Sequence, residues 1–483
     1  MDKLSDDVIR IRMAKTRIPV KEQDTAERIR NYDEISFGYM PEQAMEEASR
    51  CLNCPARYCA ATCPIHNRIP EFIAKVKDGD FAGAYVELAA VSPLPDICGR
   101  ICAQSKQCES NCTRGLKGQP VAIGQLERFV ADWHRAGNIA GESITQQTGK
   151  KVAIVGAGPS GLAAAEYLVR RGHNVNVLDR NERIGGLMTY GIPNMKLAKH
   201  ILKSKFQQLT SLGITFTLGT DVGKDFASEL VAKSDAVLLC CGASQPRDLK
   251  VSGRNAKGIY YAVDYLGEST KRGLSDCISP VIAMSAKNKD VIIVGGGDTG
   301  CDCVATAIRQ GCRSVIQLEM MPKDIDERIK NIPWTAFSGG QKTDYGHEEA
   351  IHLYGQDPRH FLTTVKDLFA DSEGNLSAVQ TVQLETRFEN LKMRLDNQPG
   401  SEQKLDCQML IIAAGFSGAQ KYVADAFGVD LNERANMDTL KDSNRTTVEK
   451  IYVAGDMRNG QSVAVKAIED GLNAAREIDR CLS

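Results

Sequence analysis

The chain of 483 residues carries 60 lysines and arginines against 61 aspartates and glutamates, a net charge of −1, and 42% of it is hydrophobic. That balance leaves no broad basic surface for nucleic acid or anionic membrane, and no apolar run approaches the roughly 18 residues of a membrane span. The length gives room for roughly two to four domains, each with its own core.

The start, Met1-Asp2-Lys3 with Asp6 and Asp7 close behind, lacks the basic onset and apolar stretch of a signal peptide, so a cytoplasmic location is expected. Pro41-Glu42-Gln43-Ala44-Met45-Glu46-Glu47-Ala48 predicts a helix with proline in its first turn, which delivers Cys51. Eight of the 16 cysteines follow in two sets: Cys51, Cys54, Cys59, Cys63, then Cys98, Cys102, Cys108, Cys112. The CxxC start and the Cys63-Pro64 finish resemble the runs that hold cubane iron–sulfur clusters, and a reducing compartment favours metal ligation over disulfides. Two structural zinc sites compete, but only Cys51 and Cys54 form the CxxC knuckle that zinc sites pair. One helical stretch is expected near 70–90 and another over Ile123 to Trp133, with a linker from Gly137 to Thr148.

Beyond residue 150 short apolar strands alternate with helical stretches, the α/β pattern. The strand Val152-Ala153-Ile154-Val155 runs straight into Gly156-Ala157-Gly158-Pro159-Ser160-Gly161 and a helix, and Asp179 ends the next strand. Gly156 permits a tight turn, Gly158 lets a pyrophosphate approach the backbone, and Gly161 lets helix and strand pack closely. Asp179 is the expected acceptor for a ribose hydroxyl. The pattern recurs where Val291-Ile292-Ile293-Val294 enters Gly295-Gly296-Gly297-Asp298-Thr299-Gly300, with Glu319 as the second acid. Two such sites predict FAD in the first and NADPH or NADH in the second, because hydride must pass between two ring systems. Glu319 would bind the ribose of NADH and repel the extra phosphate of NADPH, whereas Lys323 and Arg328 offset that repulsion, so both nicotinamides stay open.

Near the end, Ile451-Tyr452-Val453-Ala454-Gly455-Asp456 reads as a returning flavin strand, with a helix expected from Gln461-Ser462-Val463 onward and Asp456 facing the flavin ribityl chain. His347 and His352 are five apart and miss the four-residue step of a zinc-protease helix, and Asp344-Tyr345-Gly346-His347 reads as a surface loop. No CxxC or CxxxxC stands beside the flavin, which argues against a thiol reductase.

These motifs resemble the small (beta) subunit of glutamate synthase, a family whose modules are similar to the N-terminal part of dihydropyrimidine dehydrogenase. Further carriers are Glu47-Ala48-Ser49-Arg50-Cys51-Leu52, Gly185-Gly186-Leu187 with Tyr190-Gly191-Ile192-Pro193, Gly242-Ala243-Ser244-Gln245-Pro246-Arg247, and Gly460-Gln461-Ser462. The chain departs from the family at Ala414-Gly415-Phe416-Ser417-Gly418-Ala419 and at Lys466, both near the flavin half. The resemblance implies an α/β oxidoreductase: a helical iron–sulfur domain over 1–145, a Rossmann-like FAD domain split between 150–280 and 406–483, and a nicotinamide domain inserted at 281–405. It adds Pro159, Ser160, Arg180, Gly186, Leu187, Gly242, Ala243, Gln461 and Ser462 as flavin-site residues. It implies that Cys51, Cys54, Cys59 and Cys112 hold one 4Fe-4S cluster. Cys63, Cys102 and Cys108 would hold another, with Glu127 preferred and Cys98 competing for its fourth corner. The implied activity oxidises NAD(P)H and passes electrons through FAD and both clusters to a large (alpha) subunit that makes glutamate from glutamine and 2-oxoglutarate. The alternative is a subunit of a ferredoxin:NAD(P)H or sulfide-dehydrogenase-like oxidoreductase.

Overall fold

The structure is a computed structural model that describes residues 14–137, 147–274, 284–323, 343–389 and 392–483. Arg328 and residues 138–146 of the expected linker lie outside the described residues. No described helix is long and apolar enough to cross a membrane.

Helices Pro41–Ser49, Ile69–Lys77, Phe81–Ala89, Pro95–Ile101 and Ile123–Ala136 build the amino-terminal domain. Its core joins Phe72, Ile73, Val76, Leu88, Leu126 and Val130. The stretch expected as one helix near 70–90 is two. Gly79 takes φ +77° and closes the first, and Asp80 caps the second by accepting the Gly83 amide at 2.9 Å.

The first parallel sheet runs in the order Ile451–Val453, Ala236–Leu239, Lys151–Val155, Asn174–Asp179, Thr215–Leu218. Val152 lies between Val175 and Ala236. Helices Pro159–Arg170 and Ala464–Leu482 cross beside it so closely that a Cβ on Gly471 would strike the Ser160 carbonyl. Strands covered on both faces need the continuous apolar runs seen here.

The second parallel sheet has the order Arg359–Phe361, Ser314–Glu319, Asp290–Val294, Met409–Ile412, Ile259–Tyr261. An antiparallel layer spanning Thr363–Asp406 is inserted in the chain between its strands Arg359–Phe361 and Met409–Ile412. The sheet therefore reaches beyond the expected 281–405 span on both sides. A three-residue strand such as Ile259–Tyr261 is too short to show a period, and the apolar run Met409–Ile412 carries no mark of which sheet it joins. The chain enters and leaves this domain along two strands that pair with each other, Gln245–Pro246 and Phe416–Gly418.

Candidate functional site

The two glycine turns are near copies. Gly156 and Gly295 take φ of +111° and +124°, and a Cβ on either would strike the carbonyl of Cys240 or Ala413. Gly158 and Gly297 have no atom within 4 Å of where a Cβ would stand, which leaves the backbone bare. Each is the N-cap of a helix, Pro159–Arg170 or Asp298–Arg309, and neither cap makes a side-chain hydrogen bond. The first-turn amides thus face a gap that fits a phosphate. Over the first turn, Asp179 accepts the Ala157 amide at 2.7 Å and the Asn181 amide at 2.8 Å. Over the second, Glu319 accepts the Met321 amide at 2.7 Å and lays its other oxygen against Gly296. Both carboxylates are fixed and retain lone pairs for a ribose hydroxyl.

Around the first turn the returning strand closes in. A Cβ on Gly455 would stand 2.9 Å from the Ser160 side chain, and one on Gly186 would stand 3.2 Å from Gly158. The Gly455 amide donates to Asp470 at 2.7 Å. Ser462 donates to Asp456 at 2.7 Å, and burial lifts the Asp456 carboxyl above its usual range. Gln461 accepts the Phe416 amide at 2.8 Å, which brings the divergent 414–419 stretch to the flavin loop. The helix starts at Ala464, so Gln461 and Ser462 stand on the loop before it. Leu187 is exposed, Ala243 is buried, Gly242 turns at φ +72°, and Arg180 donates to Gln420 at 2.9 Å.

Lys199 had no sequence signal beyond its apolar neighbours. It is buried, its Nζ donates to the carbonyls of Met188 and Ile192 at 2.9 and 2.5 Å, and burial brings its pKa down to about 7. It thereby fastens the turn that carries Leu187.

Around the second turn, Gly297, Asp298 and Thr299 remain exposed. Lys323 lies 6.0 Å over the Phe361 ring. Gln317 donates to the Gly295 carbonyl at 2.8 Å and stands 2.8 Å from His347 Nε2. His347 Nδ1 accepts the Asp344 amide at 3.1 Å, so Nε2 carries the proton, and burial pushes the ring down to about pKa 4. The stretch expected as a surface loop is thus the capped start of helix Tyr345–Tyr354, with Tyr345 and His347 buried. Buried tyrosine, glycine and histidine side by side show no helical period, which is why the helix was not apparent.

The thiols fall into two groups. Glu47 and Arg50, both fully buried, meet at 2.6 Å, and Glu47 also takes the amides of Ile18 and Ala122, each at 2.8 Å. This knot pins Cys51 beside residues 119–122. Cys51, Cys54, Cys59 and Cys112 line one cavity. Burial, then Cys112 and Cys51, push the Cys59 thiol up to about 12.

In the second group Cys63 lies near Glu127 and Cys98, and Cys108 near Glu127 and Cys63. Burial pushes Cys63 up to about 11. A hydrogen bond with Cys102, then burial, raises Cys98. Glu127 is buried, with Asn67 Nδ2 donating to it at 3.3 Å; burial, then Asp96, raises its carboxyl to about 8. A buried carboxyl beside buried thiols is costly unless a metal centre compensates the charge, and coordination deprotonates a thiol outright. That donor set fits iron–sulfur clusters. Among the described residues no three His, Cys, Asp or Glu side chains are arranged to hold a single metal ion; the corners of a cubane stand farther apart than the donors around one ion. Cys63, Cys98 and Cys102 pack into the apolar core that contains Leu162 and Ala163 of the first dinucleotide helix. Cys51, Cys59 and Cys112 pack into the amino-terminal core, which Cys108 and Cys63 join as well.

A cavity of about 690 Å³ lies elsewhere, near the carboxyl-terminal ends of helices Pro159–Arg170 and Ala464–Leu482. Charges in it pair with each other, Arg171 with Asp479 and Arg458 with Asp470.

Residues 28–139 match the family described as dihydropyrimidine dehydrogenase domain II, 4Fe-4S cluster. Residues 150–338 and 377–471 match that described as pyridine nucleotide-disulphide oxidoreductase. The chain is similar in fold to FprA, an oxidoreductase of Mycobacterium tuberculosis, with a TM-score of 0.54 and 17% identity over 69% of this chain and 84% of that one. It is 36% identical over 460 residues to glutamate synthase [NADH] of Schizosaccharomyces pombe, covering 94% of this chain and 22% of the fungal one. It is 38% identical over 473 residues to the glutamate synthase [NADPH] small chain of Bacillus subtilis, covering 95% of each. With its cluster domain, its two dinucleotide turns and this likeness across nearly its whole length, the chain belongs to the glutamate synthase small chain family.

Proposed function

We propose that the chain is the electron-input subunit of a cytoplasmic glutamate synthase, oxidising NAD(P)H for a large subunit that makes glutamate from glutamine and 2-oxoglutarate. The observation that carries this reading is the placement of the thiols. Cys63, Cys98 and Cys102 of the second group share a core with the first dinucleotide helix, Cys63 and Cys108 join the amino-terminal core, and the Cys51 group lines a cavity flanked by the exposed Leu52 and Tyr58. That arrangement leads from a flavin domain outward to a surface a partner can meet.

FAD would be held by the Gly156–Gly161 turn with Asp179, Gly186, Gly242, Gly455, Asp456 and the Gln461-Ser462 loop, and the nicotinamide by Gly295–Gly300 with Glu319. Cys51, Cys54, Cys59 and Cys112 would ligate one 4Fe-4S cluster. Cys63, Cys102 and Cys108, with Glu127 at the fourth corner and Cys98 beside it, would ligate the second. Bound there, FAD supplies the hydride acceptor and the clusters supply one-electron carriers. The turn amides neutralise the pyrophosphates, the two carboxylates orient the riboses, and Lys199 holds the Leu187 turn in place. In the fungal relative the matching region is 22% of one polypeptide, which supports a reading in which the remaining length there corresponds to a separate large subunit here.

Isolation of the native complex tests the proposal. A large partner conferring glutamine- and 2-oxoglutarate-dependent NAD(P)H oxidation is the expected result, with about eight irons per FAD in this chain once it is separated from the partner. A small flavin and two-iron partner would sink it.

A further inference from the structure

The amino-terminal arm, residues 14–38, is continuous with the cluster domain, yet it reaches into the nicotinamide domain. Arg28 is 2% exposed. It donates to Glu348 at 2.8 Å and to the Tyr345 carbonyl at 3.3 Å, and its Nε lies 3.0 Å from Glu349. Glu349 is fully buried and is held from the other side by Arg309 at 2.6 and 3.1 Å. Arg309 in turn donates to the arm carbonyl of Asn31 at 2.6 Å.

A few residues on, the arm meets the other two units. The Ile35 amide donates to the Met195 carbonyl of the flavin domain at 3.0 Å, and Asn194 donates to the Tyr32 carbonyl at 2.7 Å. Glu34 pairs at 2.6 Å with Arg100, on the helix that carries Cys98. Ile35 and Met195 then pack with Cys301, Ala305 and Tyr345 of the nicotinamide domain.

We infer that this arm is a strap that sets the angle of the nicotinamide domain against the flavin and cluster domains, with Arg28 as its positioning residue. The covalent attachment of that domain is the adjacent strand pair Gln245–Pro246 and Phe416–Gly418. Two strands side by side leave a swivel; Lys196 of the flavin domain limits it through Asp302 and Asp298, at 3.4 and 3.9 Å, and the arm adds a remote contact beyond that seam. The contact also reaches the working part of the site. Arg28 holds helix Tyr345–Tyr354, and His347 on that helix props Gln317 under the Gly295 carbonyl. Hydride transfer punishes misplacement of its partners, so a fixed angle matters for rate. Arg28 contacts the helix Tyr345–Tyr354 rather than either glycine turn, and acts through that helix.

The inference rests on the assignment of Gly295–Gly300 to NAD(P)H, which a Gly297→Glu variant tests separately through KM. For the strap, flavin bleaching by saturating NAD(P)H is followed by stopped flow in the full chain carrying FAD and clusters. Arg28→Met is expected to slow bleaching roughly 10- to 100-fold, the scale of an ångström-level misplacement. Flavin content, iron content and cluster reduction by dithionite stay at wild-type level, and Arg28→Lys recovers part of the rate. A wild-type bleaching rate in Arg28→Met overturns the inference. So does loss of flavin or iron in both variants, since the arm would then serve folding rather than position.

Discussion

The two glycine turns share a backbone and differ in what surrounds them. At the first, Ser160 is buried beneath Gly455 and Gly471, and Gly186 closes on Gly158. At the second, Gly297, Asp298 and Thr299 lie open. A nucleotide seated in the first would be enclosed by a returning strand and stay, whereas one in the second would come and go. The same local sequence would thus serve a resident cofactor or an exchanging substrate according to what the rest of the chain lays over it.

The largest test of that contrast is Gly158→Glu. A carboxylate on the bare turn should yield protein without flavin, with iron retained and NAD(P)H oxidation abolished, as read by absorbance and iron assay; a yellow, active variant would break the comparison. Gly297→Glu should leave the flavin in place and raise KM for NAD(P)H roughly 100-fold or more, since like charges forced together cost several kcal/mol. Steady-state rates across nucleotide concentration check it.

A smaller effect is expected from Glu319→Gln, which should shift the NADH to NADPH preference towards NADPH by about tenfold, or ~1.4 kcal/mol. Ratios of kcat/KM for the two nucleotides decide this, and an unchanged ratio removes Glu319 from nucleotide selection. The smallest is a pH effect at His347. Burial depresses its pKa from 6.5 to about 4, so between those values the unfolded chain binds a proton that the native ring refuses. Stability must therefore fall as pH drops through that window. Denaturant unfolding at its two ends should show a shallower fall in His347→Gln than in the wild type.

Both turns were legible because strand, glycines, helix and acid lie within one short stretch and each has a local reason to be there. The flavin site's closure was partly legible, through Gly455-Asp456 and Gln461-Ser462. Which thiols line one cavity was not a matter of spacing. Cys112 joins Cys51 through the fold, and the buried Glu47–Arg50 knot that arranges this ties together residues 18, 47, 50 and 119–122. The Arg28–Glu349 contact lay further out of reach, because nothing local marks two charges so distant in sequence as partners. The domain border slipped for the opposite reason, since short strands are recognised by their neighbours rather than by their own residues.

The paired strands Gln245–Pro246 and Phe416–Gly418 place the entry and exit of the nicotinamide domain side by side. A cassette bounded in this way can be lifted out and its ends rejoined by a tight turn, or replaced by the matching piece of a relative that prefers the other nicotinamide. The graft would be accepted on two conditions: the seam at 245–246 and 416–418 is kept, and the incoming helix brings its own counterpart of Glu349 for Arg28 to find.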